Sequence, residues 1–573
     1  MKSTRLKLIL GINIVTVTVL ALVVRALTAT WTGLTTDEAN GVIVAVTGSW
    51  ADMIQHLKED GNAPLLYVLL RLYAEPVGHS DLAVKLFALV MGTMQVPISY
   101  WICRRFLSQE LSLQVAILLA LCPPLVRYGT LVRSYSLISI LALISTWTCM
   151  EVLTRRRSIL WPVLYGVSTA ALVYSHYWGA FVPIGQTCLL AIGLWRRWFN
   201  LDNVKHWLAG VAVSVVAFLP WTPILIYQFT HVLDVWDMPP LPSFLFTHMA
   251  SFILVGNYYT LQPLDQLALL ISSVLVLFVL FCPRTLQTQT FDGRFWKAVV
   301  VCGYGAGLLV SLVEPAMRDR YLTPFAPLMI IVFLTTCHEL LGQSPRLVRL
   351  LVPVAVWMPI WIPALTFLAS EPETGAPAII AKINRDFDRQ KDLVVISWPI
   401  IVPAINFYLP EDIEVVTFPD IKPIKFNRWD GMLSRLRDPS NLQALIEEMR
   451  AALARGGRIW LVDRYHSVRR RDFTNETLLK DLKYMDTELC RMDQVRTWLS
   501  LNAEQVGSNQ LAPGRDFSVF LSIYEPGQES SSPAEAEDMT GPQTSDLSRE
   551  ISAGGSQDAW QALSGGRQEA QRH

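Results

Sequence analysis

The stretch TGLTTDEANG, Thr32–Gly41, follows at once on the chain's first long apolar run. It sets two adjacent carboxylates, Asp37 and Glu38, where a chain has just left a membrane. One reading is local: Thr36 caps a helix, and acids in a first turn suit the helix dipole. The other is chemical: a general base held at the membrane surface. The preceding run, MKSTRLKLILGINIVTVTVLALVV (Met1–Val24), has a basic start and a long apolar body. A cleaved signal peptide would be shorter and carry a better cleavage site than ALTATW, so this is read as a retained first span.

The rest of the chain is equally apolar. Of 573 residues, 52% are hydrophobic and only 17% charged, with a mean hydropathy of +0.35. Ordinary soluble proteins of this length are more polar. Basic and acidic residues balance at 48 each, so nothing argues for nucleic acid as a partner. Of the eight cysteines only Cys490 lies well outside the apolar segments, and neither a disulfide framework nor a C-x-x-C metal site is visible.

A span needs about twenty apolar residues. Candidates fall near 8–28, 82–102, 111–128, 134–153, 160–176, 178–195, 207–228, 264–282, 296–313, 321–340 and 349–369, about eleven in all. Every second loop is basic. Lys2, Arg5 and Lys7 precede the first span, and Arg104–Arg105, Arg155–Arg157, Arg196–Arg197, Arg284, and Arg346 with Arg349 follow alternate spans. Those loops are expected in the cytoplasm, which places the other loops, and everything after residue 370, outside. Asp37, Glu38, Arg133, Tyr135, His176, Trp236, Arg318 and Arg320 then all fall at outer span ends or in outer loops. A random scatter would have split them.

The first outer loop (30–80) has structure of its own. In EANGVIVAVTGSWADMIQHL, apolar residues recur at helical spacing on one face. A turn and a second short helix follow in EDGNAPLLYVLLRLY, with Pro64 near its first position. Such amphipathic pieces are expected either to lie in the membrane interface or to pack on the bundle as surface helices. After 370 the composition changes. KDLVVISWP, IEVVTFP, GRIWLVDRY and DFSVFLSIYEP read as strands, and NLQALIEEMRAALARGG as a helix with a Gly stop. The expected architecture is thus a helical polytopic membrane domain (1–370), a small outer α/β domain (371–526), and a Ser-, Gly- and acid-rich tail (527–573) expected to be disordered. The run Arg469–Arg471 reads as a solvated charge run or a surface for headgroups.

An outer-face enzyme acting on a lipid phosphate needs cations for the phosphate and a carboxylate for the incoming hydroxyl. Arginine suits the first task, because its planar fork bonds two oxygens and keeps its charge. Arg133 opens a span in TLVRSYSLISI, and Arg318 and Arg320 stand in the short loop EPAMRDRYLTPFAP. Arginines at span ends also snorkel to headgroups, but charge in a very short loop is usually employed. His176, in VYSHYWGAF, is either a site residue or a histidine bonded to a backbone carbonyl. Trp31 and Trp236 suit an aromatic belt, and FLPWTPILIYQF carries prolines that bend a span.

The motifs line up in order: Asp-Glu after the first span, a PLLY helix, R-S-Y-S-L, Y-S-H-Y, P-W-T-P and R-Y-L-T-P. That order resembles the bacterial family 39 glycosyltransferases of the GT-C membrane fold, which include protein O-mannosyltransferases and the aminoarabinose transferases of lipid A. The resemblance covers roughly residues 1–370. It implies inverting sugar transfer from a polyprenyl-phosphate donor to a hydroxyl on a lipid, glycan or protein, at the outer face of the cell membrane and among membrane lipids. It implies Asp37 as the base, Glu38 as an orienting acid, and Arg133, Arg318 and Arg320 around the donor phosphate. Lys85 stands where many relatives have Arg, as a further phosphate contact. Asn62, Tyr67, Tyr135, His176, Tyr177, Trp236 and Tyr321 would line the substrate cavity. Where relatives usually read His-Pro-Pro-Leu-Tyr, this chain reads NAPLLY, with Asn62 for His and Ala63 for Pro. Neither a metal nor another cofactor is implied, since two carboxylates are too few to argue a cation site.

A transporter is the reading from another class. It should bring charge to the bilayer midplane and show inverted repeats. Here charge collects at one face and no repeat is evident. A lipid-linked glycan ligase or polymerase would differ mainly in its acceptor.

Overall fold

A computed structural model describes residues 13–31, 33–154, 158–232, 291–313, 319–370, 376–420, 426–463, 484–511 and 519–527. The expected span at 264–282, Trp236, Arg318, Arg469–Arg471, the basic residues at 2–7, 155–157 and 284, and the tail after Gly527 lie outside them.

The first described helix, Ile14–Thr28, shows how a membrane helix divides its faces. Val15, Val19, Leu22, Val23 and Leu27 are exposed, while Val17, Ala21 and Arg25 are buried. Arg25 has a structural use. Its guanidinium donates to the carbonyls of Leu119, Ala120 and Leu125, at 3.3–3.4 Å. The Leu119 and Ala120 carbonyls are freed where helix Gln109–Leu121 ends, and Leu125 lies in the first turn of helix Pro123–Thr130, bent from it by 59°. Pro123 and Pro124 supply no N–H to continue the first helix, so the expected single span at 111–128 is a broken one.

Among the described residues four helices are long and apolar enough to cross a membrane: Asp81–Cys103, Tyr135–Thr154, Tyr177–Trp195 and Leu201–His231. The bent pair makes a fifth if counted as one span, and shorter apolar helices cover Ile14–Thr28, Leu160–Ser175, Phe295–Ser311 and Ala326–Leu340. The apolar run at 349–369 splits into helices Arg346–Ala355 and Met358–Ser370. Apolar runs locate these helices well, but prolines and turns shorten several of them below a full span. Helix contacts are close where glycines meet: a Cβ on Gly92 would stand 2.3 Å from the Gly129 carbonyl oxygen. One buried polar cluster in the bundle is paired throughout. The Tyr165 hydroxyl donates to Gln186, whose amide donates to Ser145 and Thr146, as burial in an apolar medium requires.

The loop at 30–80 forms three helices, where the sequence showed two pieces: Thr36–Val46, Trp50–Asp60 and Leu65–Val77. The break at Gly48 takes a positive φ of 71°, and Ser49 caps the next helix in a reciprocal box with Asp52. Helix Thr36–Val46 is buried along nearly its whole length, from Thr36 through Ala45 except for Asp37. It is therefore a core element and has no broad face left for headgroups.

The region after residue 370 builds a five-stranded sheet. With β1 Leu393–Ile396, β2 Val415–Thr417, β3 Ile459–Asp463, β4 Ala503–Leu511 and β5 Val519–Pro526, the order is β2-β1-β3-β5-β4. β1 pairs parallel with β2 and β3, and β5 pairs antiparallel with β3 and β4. β1 (LVVI) is buried at every residue, as an unbroken apolar strand covered on both faces should be. β4, AEQVGSNQL, has no such apolar signal and was not foreseen. Residues up to Pro526 form one compact unit. The sheet region meets the loop helices directly: the Tyr408 hydroxyl lies 2.9 Å from both Asp81 carboxylate oxygens and accepts the Leu34 N–H at 2.7 Å.

Candidate active site at the first outer loop

The carboxylate pair divides its labour. Thr35, one residue earlier than expected, is the N-cap of helix Thr36–Val46: its hydroxyl accepts the Glu38 N–H, and Glu38 accepts the Thr35 N–H at 3.0 Å. Glu38 is fully buried and takes two more partners from distant segments. Lys85 Nζ stands 2.7 and 2.9 Å from its two oxygens, and the Val132 N–H reaches Oε1 at 2.8 Å. Glu38 is thus a strut tying three segments together, and Lys85, 2% exposed, is consumed by the same pair. The expectation of Lys85 on the donor phosphate and of Glu38 orienting an acceptor sits poorly with this geometry. Each group's charge already faces the other in a dry environment, and separating them would strand both.

The strut has a consequence for its neighbours. Asp37 and Arg133 are each one residue from a group it fixes. Asp37 points away from Glu38, and its side chain is 43% exposed. Its Oδ2 lies 3.4 Å from Nη1 of Arg320, whose side chain is 33% exposed. Arg133 Nη1 donates to the Asp37 backbone carbonyl and to the Tyr67 hydroxyl, both at 3.3 Å. Burial, only partly offset by Arg133, pushes the Tyr67 phenol up, so it stays protonated. The first turn of one helix, the turn before helix Tyr135–Thr154 and the turn Asp319–Leu322 thereby converge on one spot.

The aromatic residues form its wall. The His176 ring lies 4.9 Å from Tyr321 and 6.4 Å from Tyr135, and Tyr321 stacks on Trp178 at 5.0 Å. His176 Nδ1 accepts the Trp178 N–H at 3.2 Å, which fixes its ring at the break between two helices. Tyr177 turns elsewhere: its hydroxyl meets Trp221 and Gln228, and Gln228 holds the Leu57 and Asn62 carbonyls. It braces the loop and does not join the Arg133 cluster. Asn62 donates its amide to Asp60.

Asp60 is the residue that sequence reasoning passed over. It is buried, takes amide hydrogen bonds from Asn40 at 2.9 Å and from Asn62, and feels the charges of Arg133 and Asp37. A signal existed. An acid as the last residue of a helix opposes the dipole, so its presence at the end of WADMIQHLKED asks for a reason. Among the described residues no group of three or more His, Cys, Asp or Glu stands ready to hold a metal. A cavity of about 550 Å³ beside His231, Met432 and Arg437 involves none of these residues.

The sequence profile of the dolichyl-phosphate-mannose-protein mannosyltransferase family matches residues 61–224. That segment holds Asn62, Tyr67, Arg133, Tyr135 and His176 but neither Asp37 nor Arg320. No curated protein matches the chain by sequence. Among solved structures, apo ArnT from Cupriavidus metallidurans is similar at 11% identity, over 89% of this chain and 97% of that one, with a TM-score of 0.53. ArnT bound to undecaprenyl phosphate covers 91% and 99% of the two chains at 12% identity and a TM-score of 0.46. The apo oligosaccharyltransferase of Archaeoglobus fulgidus covers 79% and 69% at 12% identity, with a TM-score of 0.48. The resemblance read from motif order is matched at the level of fold by ArnT, over nearly the whole length of both chains.

Proposed function

We propose that the protein is an integral membrane glycosyltransferase that moves a sugar from a polyprenyl-phosphate donor to an acceptor hydroxyl at the outer membrane face. The observation that carries this reading is the division within Asp37–Glu38. One acid is buried in structure, and the other stays exposed beside an arginine at a site lined by Arg133 and aromatic rings. The matched family profile supplies the donor class in its name, a dolichyl-phosphate sugar.

In this account Asp37 takes the proton of the acceptor hydroxyl as its oxygen attacks the anomeric carbon. The bond from that carbon to the phosphate oxygen breaks on the opposite side, so the configuration inverts. The phosphate leaves with the electron pair, and Arg133 and Arg320 stabilise its growing charge. The same cations favour the ionised form of Asp37, which a base requires. Tyr67, Tyr135, His176 and Tyr321 shape the donor cavity, and Asn62 acts through the loop.

The direct test is to incubate the detergent-purified protein with radiolabelled polyprenyl-phosphate sugars and a membrane extract. Label moving from the lipid to an acceptor supports the reading, and the labelled product identifies that acceptor. Label that stays on the lipid across all donors overturns it.

A further inference from the structure

Helix Thr36–Val46 carries Asp37 in its first turn, so the chain entering that helix decides where the carboxylate stands. Gly33 turns with a φ of 86°, in the left-handed region that suits glycine. Its N–H donates to Asp81 Oδ2 at 2.8 Å, and the next N–H, of Leu34, donates to the Tyr408 hydroxyl at 2.7 Å. That hydroxyl in turn donates to the Asp81 carboxylate, 2.9 Å from both oxygens. A phenol has one proton to give and lone pairs to accept with, and a carboxylate only accepts. Each bond of this three-way junction therefore runs in one direction.

Its members come from three parts of the chain. Asp81 opens helix Asp81–Cys103, behind its Ser80 cap. Tyr408 follows the short helix Val402–Asn406 of the sheet region, which packs on helix Thr36–Val46. Phe407 and Tyr408 lie against the apolar cluster that holds Leu34, Ala39 and Val42. A phenylalanine at 408 would fill the same apolar place but leave the Leu34 N–H without this acceptor. The junction ends where the capping box begins: Tyr408 fixes Leu34, Glu38 fixes Thr35, and Lys85 and the Val132 N–H fix Glu38. Arg133 then grips the Asp37 carbonyl. Hydrogen bonds and adjoining residues thus run without a gap from Tyr408 to Asp37.

We propose that Tyr408 is a positioning residue: it holds the turn Gly33–Thr35 so that Asp37 meets the acceptor hydroxyl, which makes the sheet region part of the catalytic unit. This rests on the transferase reading above. A second contact between the helices and the sheet region serves as the comparison. The Tyr227 hydroxyl, on helix Thr222–His231, donates to the Asp430 carboxylate at 3.0 Å. It joins the two regions with the same chemical group, but at Asp430 and not at the Asp37 turn.

The test is a double-mutant cycle on the full-length protein, reading single-turnover transfer rate beside donor affinity and thermal unfolding. Tyr408→Phe lowers the transfer rate roughly 10- to 100-fold, the cost of misplacing a reacting group by about 1 Å, and leaves donor affinity near wild type. Tyr227→Phe, which removes the same group from the other contact, transfers near the wild-type rate. Added to Asp37→Asn, Tyr408→Phe costs little further rate, because a group acting through Asp37 has nothing left to position. A purely structural role would lower the rate by the same factor in both backgrounds. Asp81→Asn leaves one acceptor oxygen at the junction and is read in the same cycle if Tyr408→Phe folds poorly. Wild-type transfer in Tyr408→Phe, an equal loss in Tyr227→Phe, or the same factor in both Asp37 backgrounds overturns the proposal alone. Full transfer by Asp37→Asn sinks the base assignment and this proposal with it.

Discussion

Nη1 of Arg320 stands 3.4 Å from Oδ2 of Asp37, bringing the turn before helix Ala326–Leu340 onto the first turn of helix Thr36–Val46. Both side chains are partly exposed, so the pair itself contributes only about 0–1 kcal/mol to stability. Arg320→Ala should accordingly leave the melting temperature nearly unchanged while lowering kcat/KM for the donor roughly 10- to 100-fold, the worth of a charged hydrogen bond. Thermal unfolding in detergent, run beside the transfer assay, checks both halves. A large loss of stability with unchanged turnover would assign Arg320 to structure.

The Glu38–Lys85 pair should behave in the opposite way. Lys85→Met leaves a buried carboxylate with no cation and should cost about 3–5 kcal/mol. The double variant Glu38→Gln with Lys85→Met should recover part of that loss, because no uncompensated charge remains. If Lys85→Met melts like wild type but fails to bind donor, Lys85 is the phosphate contact that the sequence resemblance implied.

Arg133 uses its fork, since one nitrogen bridges the Asp37 carbonyl and the Tyr67 hydroxyl and leaves the rest of the guanidinium for a ligand. A lysine has one charged point and cannot do both. Arg133→Lys should therefore lose donor affinity almost as fully as Arg133→Ala, by roughly 1.5–3 kcal/mol. Isothermal titration with the polyprenyl phosphate would show it. Near-wild-type affinity in Arg133→Lys would mean that charge alone suffices.

His176 Nδ1 accepts the Trp178 N–H and its ring packs against Tyr321, so it serves the wall of the site and not proton transfer. His176→Gln should keep the shape of the pH–rate profile and lose no more than roughly tenfold in rate, short of the 10²–10⁴ that removal of a general acid or base costs. Disappearance of a limb of that profile would count against this placement.

Much of this was readable in the residues. Apolar runs found most helices, and β1 and β3 announced themselves as unbroken apolar strands. Asp37, Arg133, Tyr135, His176 and Arg320 were legible because charge and aromatics beside a membrane are costly and stood at one expected face. The sequence could not show that Glu38 and Lys85 meet, because a long-range pair leaves no local periodicity. Gly48 and Ser49 did mark the break in the outer-loop helix, but the surrounding helical spacing masked it. Asp60 was hidden in a turn-forming stretch, and β4 in a polar one whose pairing with β5 outweighs its own propensity.

The most direct measurement is single-turnover transfer by Asp37→Asn, with donor binding determined on the same preparation. The substitution keeps the size and shape of the side chain and removes its charge and its ability to take a proton. We predict that donor binding stays within severalfold of wild type while the transfer rate falls by roughly 10²–10⁴. Transfer at the wild-type rate would contradict the account and leave Asp37 as a helix-end acid paired with Arg320.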